Sequence, residues 1–289
     1  MEKKTAIAHM GAIFVMLIWG TSYLATKALL TSGLVPVQII VLRFLIGYLC
    51  LLVAGKPLKL ETRKDELLFI ASGFFGVAAY FLCENYALVY SYSSNVGVIV
   101  SLAPFFTSVL VRDERKPRGF LAGFAVAMAG IIIISYNGAA TFKLNPIGDL
   151  LALGAALCWG FYSFFLRKIN DKGYDSIKAT RRVFFWGLLF LLPFLRDLDV
   201  RLVFTSPCIW SLLFLGMGST ALCYLIWTNA VKTIGAVKSA IYIYLIPVIA
   251  VLSGILFLSE KANWASIGGL VLCLGGLLLS EGVIGREKA

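Results

Sequence analysis

The sequence predicts an all-α integral membrane protein: ten transmembrane helices forming two inverted five-helix repeats around a central cavity. Three observations carry this. First, 60% of the 289 residues are hydrophobic and 14% are charged, and the mean hydropathy is +0.90. That is more apolar side chain than a soluble core of this length can hide. Second, a bilayer-spanning helix needs roughly 20 apolar residues, and the chain offers about ten such runs. They lie near 6–30, 36–55, 66–90, 95–112, 118–137, 147–168, 177–195, 208–231, 237–258 and 264–284. Third, the chain repeats itself.

The repeat is legible as three correspondences in one order. "LIWGTSYLATKALL" (17–30) superposes on "LCWGFYSFFLRKIN" (157–170), placing Trp19 and Gly20 on Trp159 and Gly160, and Lys27 on Arg167. "ALVYSYSSNVGVIVSLAPFF" (87–106) superposes on "AVKTIGAVKSAIYIYLIPVI" (230–249), placing Ala87 on Ala230 and Pro104 on Pro247. "DERKPRGFLAGFAVAMAGIIII" (113–134) superposes on "SEKANWASIGGLVLCLGGLLLS" (259–280), placing Glu114 on Glu260, Gly123 on Gly269 and Gly130 on Gly276. The halves are residues 1–143 and 144–289. An odd number of spans per half makes the second half enter the membrane from the opposite side. Inverted repeats are a recurring design of secondary transporters, because two near-equivalent packings open a central site to alternate sides.

The first run is too long for a cleaved signal peptide and is expected to be a retained helix. The net charge of +11 sits in short connections rather than in a patch or reader motif, which points to lipid headgroups and not nucleic acid. With the N-terminus taken as cytoplasmic, most Lys and Arg fall on that side, so both termini are expected inside the cell membrane. Cys50, Cys83, Cys158, Cys208, Cys223 and Cys273 lie in apolar runs without C-x-x-C spacing, and read as packing residues.

Several segments together resemble the EamA family of the drug/metabolite transporter superfamily. They are the W-G-x(6)-K/R element at 19–27 and 159–167, Arg43 after "PVQIIVL", the 87–106 segment with Pro104, and the Glu-then-Gly pattern around 114–130 and 260–276. The resemblance covers essentially the whole chain. It implies a cavity lined mainly by helices 1–4 and 6–9, peripheral helices 5 and 10, and export of small metabolites. The loop "VRDERK" departs from the family's usual apolar residues before the acidic one.

Glu84 is the sharpest candidate, since a carboxylate at a helix centre costs about 2.5 to 3.5 kcal/mol and normally faces protein or a wet cavity. Tyr80, four residues earlier, shares its face. Glu84 is expected to bind a proton or the positive group of a substrate; the alternative is pairing with a cation on a neighbouring helix. Trp19, Tyr23, Tyr80, Trp159, Tyr162, Trp227 and Tyr242 are candidate substrate contacts through their π faces, with ordinary helix packing as the competing role. Lys238, in the first turn of helix 9, and its counterpart Asn95 complete the set. Arg43 and Arg182 could hold an anionic solute, although Arg in a helix also serves structure. Pro104 and Pro247 are expected to break helices 4 and 9 at matching places.

The only histidine is His9, and no nucleophile with a base or metal cluster suggests an enzyme. No Walker-type motif is present, so an ion or substrate gradient is the expected energy source. Neither cofactor nor metal is expected. The reading is of an exporter of amino acids or related aromatic and cationic compounds, with a carrier of anionic or phosphorylated solutes second and a non-transport membrane component last. Monomer and homodimer both fit.

Overall fold

A computed structural model of the protein describes residues 2–53, 62–91, 93–112, 114, 116–136, 145–195, 206–249, 252 and 264–280. Among them the regular structure is entirely helical. The elements are α1 (Glu2–Thr31), α2 (Pro36–Val53), α3 (Glu66–Gly73), α4 (Tyr80–Tyr90), α5 (Ser93–Val100), α6 (Ala103–Leu110), α7 (Phe120–Tyr136), α8 (Pro146–Asp171), α9 (Ser176–Leu191), α10 (Ser206–Leu213), α11 (Cys223–Ile234), α12 (Ala236–Ile241) and α13 (Trp264–Ser280). A π-helical stretch, Phe74–Ala79, joins α3 to α4, and a second, Phe214–Leu222, joins α10 to α11.

Five helical stretches are long and apolar enough to cross a membrane: Lys3–Ser22, Pro36–Val53, Arg63–Tyr90, Pro146–Asp171 and Cys208–Ile234. Shorter apolar helices cover Val96–Leu110, Phe120–Ile133, Ala236–Ile249 and Ile267–Ser280. The surface is apolar, with Met10 70%, Trp210 71% and Trp264 88% exposed. Arg43, Glu84, Asn85, Ser219 and Thr220 are buried instead. Large apolar side chains facing outward, with these polar groups kept inside among the apolar core, is the distribution a bilayer selects, because lipid solvates Leu and Trp but not unpaired polar groups.

Element ends follow local chemistry. Gly33, with φ 101°, reverses the chain after α1. Pro146 opens α8 where its missing N–H is harmless, and the Asp175 carboxylate accepts the Lys178 N–H at 3.0 Å to cap α9. The chain breaks near both prolines: Ser101 and Leu102 form a turn between α5 and α6, ahead of Pro104, and Tyr242–Tyr244 tightens to a 3-10 turn ahead of Pro247. In each case the break lies a few residues before the ring, where proline removes a backbone donor.

Glycines set the closest approaches. A Cβ on Gly20 would lie 2.6 Å from Ile249 Cγ2, and one on Gly160 would lie 2.9 Å from Phe106 Cβ. Helix α1 therefore nests against the 245–249 segment, and α8 nests against α6. Helices α7 and α13 run antiparallel in backbone contact. A Cβ on Gly123 would meet Gly276 O at 2.5 Å, and one on Gly130 would meet Gly269 O at 2.6 Å. Small residues permit this, and dispersion between touching backbones holds such pairs in lipid.

Candidate functional site

The π-helical stretches prepare the interior. Widening a helix disturbs its regular hydrogen-bond ladder, and such stretches concentrate at functional sites. Each stretch here offers a carbonyl to an aromatic donor from elsewhere. Trp19 Nε1 donates to the Ser219 carbonyl at 2.9 Å, and the Tyr224 hydroxyl donates to the Gly76 carbonyl at 3.0 Å. Arg43 on α2 reaches the same region, donating from Nε to Thr220 Oγ1 and from a terminal nitrogen to Ser219 Oγ, both at 3.0 Å. Its guanidinium lies over the Phe81 ring at 4.9 Å, so a buried cation is satisfied by hydroxyls and a π face.

Around these anchors the rings form a continuous cluster. Trp19 meets Trp159, Tyr224 and Trp227 at centroid distances of 5.4, 5.8 and 5.5 Å. Trp159 meets Trp227 at 5.8 Å and Tyr162 at 5.2 Å. Tyr162 closes toward Tyr224 at 6.0 Å. These separations suit edge-to-face and tilted pairs. The indole nitrogens of Trp159 and Trp227 are buried with no hydrogen-bond partner among the described residues.

Glu84 joins this cluster through Tyr80. The Tyr80 hydroxyl donates to Glu84 at 2.9 Å, as the i, i+4 spacing on one face allows, and its ring meets Trp159 at 5.1 Å. Glu84 is 9% exposed and interacts electrostatically with Arg43. Neighbouring Asn85 turns away and donates to the Phe81 carbonyl at 2.8 Å.

Trp19, Tyr80, Glu84, Trp159, Tyr162 and Trp227 are thus brought together. The side chains of Tyr23, Lys27 and Asn95, and all of Glu260, lie outside the described residues. Lys238 and Tyr242 are elsewhere. Lys238 lines a cleft of about 340 Å³ at the end of α8, whereas the buried Tyr242 hydroxyl pairs with His9 Nδ1 at 2.6 Å. Arg182 is held by both oxygens of Glu66, which Trp186 also contacts. Both arginines proposed for anionic solutes are therefore already engaged. Sequence reasoning missed Ser219, Thr220, Tyr224 and Phe81. Only Tyr224 carried a signal, standing three residues before Trp227 on one helix face. Among the described residues no group of three or more His, Cys, Asp or Glu could hold a metal.

A multi-pass helical membrane protein with ionisable groups in its interior is the class this fold defines. Comparison gives the family. The EamA-like transporter family model matches residues 6–136 and again 146–281, and the chain belongs to that family. It is a transporter, not an enzyme. An uncharacterized transporter of Archaeoglobus fulgidus is 30% identical over 267 residues, covering 90% of this chain and 94% of that protein. The uncharacterized transporter YvbV of Bacillus subtilis is 28% identical, covering 96% of this chain and 92% of that protein. A probable terminal-alkyne amino-acid exporter of Streptantibioticus cattleyicolor is 25% identical, covering 99% and 97%. A solved crystal structure with 21% identity superposes at a TM-score of 0.79, covering 98% of this chain and 99% of its own, and shares the fold.

Proposed function

We propose that this chain is a secondary-active exporter of amino acids or related aromatic and cationic small molecules. It works by alternating access between two inverted five-helix halves, ten transmembrane helices in all, in the cell membrane with both termini cytoplasmic.

The observation that carries the proposal is the run Glu84, Tyr80, Trp159, Trp19 and Trp227, in which an acidic group and a wall of rings share one buried region. A carboxylate beside π faces suits an ammonium group. The unpaired indole N–H donors of Trp159 and Trp227 suit a ligand carrying an acceptor such as a carboxylate. The amino-acid exporter among the relatives supports the same class. Glu84, the carboxylate of this run, is the candidate for exchanging a proton against the cation.

The inversion is supported by reciprocal contacts. Gly20 meets Ile249 as Gly160 meets Phe106, and the sequence alignment that equates Gly20 with Gly160 equates Ile249 with Phe106. Gly123 meets Gly276 as Gly130 meets Gly269. Exchanged pairs are what a pseudo-two-fold axis generates, and the antiparallel run of the equivalent helices α7 and α13 supports an axis lying across the helices, as in an inverted repeat.

The test is a thermal-shift screen of the purified protein against amino acids, amines and phosphorylated metabolites, followed by counterflow of each hit in liposomes. The proposal expects an aromatic or cationic amino acid to stabilise the protein and to exchange across the bilayer. Stabilisation by phosphorylated solutes alone, without amino-acid counterflow, would contradict it.

A further inference from the structure

The aromatic site leaves unused a carboxylate at one end of the bundle. Glu114, in the connection between α6 and α7, accepts the Ala236 N–H on Oε1 and the Val237 N–H on Oε2, both at 2.9 Å. Arg167 Nε, from the last turns of α8, lies 3.3 Å from Oε1, and Asp171 steadies Arg167 at 3.6 Å. Gly235 shapes the receiving turn. Its φ is 90°, and a Cβ there would sit 2.8 Å from Glu114 Oε2, so glycine satisfies both the backbone and the space. One side chain thus ties the α6–α7 connection to the ends of α8 and α11–α12, beside the cleft lined by Asn170, Lys232 and Lys238. Charge-assisted bonds of this kind are about twice as strong as neutral ones.

We propose that Glu114 is a positioning residue of the transport cycle: its clasp on Arg167 and the 235–237 turn holds this end of the bundle closed and is released when that end opens. The inference rests on the alternating-access reading. An ordinary structural tie loosens only its own neighbourhood when removed. A clasp that biases two global arrangements also tightens the far end, because the arrangement open here is the one closed there.

The test is hydrogen exchange on the full chain in proteoliposomes, comparing the parent with Glu114→Gln, Arg167→Gln and Arg167→Lys. Glu114→Gln and Arg167→Gln should speed exchange of the 236–241 amides on the order of tenfold. They should slow it at the far end, where Ser91 donates to Asp149 at 2.7 Å. Arg167→Lys, which retains the charge, should lie near the parent. Local loosening with an unchanged or faster far end would overturn the clasp and leave Glu114 a simple tie. If Glu114→Gln does not fold, the two Arg167 variants decide between the same outcomes. Exchange is read without substrate, so a reciprocal shift in a protein that fails every amino-acid counterflow assay would keep the clasp and sink the amino-acid reading of the substrate.

Discussion

The Tyr80 hydroxyl donates to Glu84 at 2.9 Å while its ring rests against Trp159 at 5.1 Å. One residue therefore couples the acidic group of α4 to the aromatic cluster of α8. The same side chain orients the carboxylate and gives the region its apolar wall.

Tyr80→Phe separates those two roles. The ring contact survives and the hydrogen bond is lost, a change of about 1 kcal/mol for a neutral donor and more for one serving a charged group. Substrate affinity should fall roughly fivefold to tenfold with little loss of thermal stability. Tyr80→Ala should reduce both. Binding titration and thermal unfolding in detergent check the pair, and equal affinity in parent and Tyr80→Phe would show that the hydroxyl plays no part.

Arg43 is expected to matter for folding. It spends two donors on Ser219 and Thr220 and stacks on Phe81. Arg43→Met leaves the buried hydroxyls of Ser219 and Thr220 without their donor, a loss of roughly 1–3 kcal/mol. Arg43→Lys should recover only part, because an ammonium cannot reproduce the fork and the stack together. Thermal unfolding of the three proteins gives the order; Arg43→Met melting with the parent would refute it.

The α7–α13 seam makes a purely steric prediction. A Cβ on Gly276 would come within 2.4 Å of the Ala127 nitrogen, whereas one on Gly268 meets nothing within 4 Å. Gly276→Val should push the helices apart and destabilise by about 2 kcal/mol or more. Gly268→Ala, in the same helix, should be neutral or slightly stabilising. Melting curves of the two variants provide a matched comparison.

Much of the fold was legible because the chain repeats its own packing code. The two Trp-Gly pairs and the four glycines of the α7–α13 seam stand at aligned positions and fulfil the close approaches expected of small residues. Glu84 and Tyr80 were readable from one ionisable residue in an apolar run and its i, i+4 neighbour. The π-helical stretches were not, since no periodicity in "FFGVAA" or "FLGMGSTAL" distinguishes five-residue from four-residue hydrogen bonding. Ser219 and Thr220 stayed hidden with them, because small hydroxyls in a helix usually bond their own backbone. Lys238 and Tyr242 share a helix face by spacing, yet the 3-10 turn that begins at Tyr242 separates the cleft from the His9 contact.

The most direct measurement is substrate-driven proton movement in liposomes containing the parent or Glu84→Gln, recorded across pH with a screened substrate. Parent protein should move protons against substrate with a pH-dependent rate. Glu84→Gln, folded by its melting curve and still flanked by Tyr80 and Trp159, should lose coupled proton movement and give a flattened pH profile. An unaltered rate and profile in Glu84→Gln would contradict the assignment of Glu84 as the group that exchanges proton for substrate.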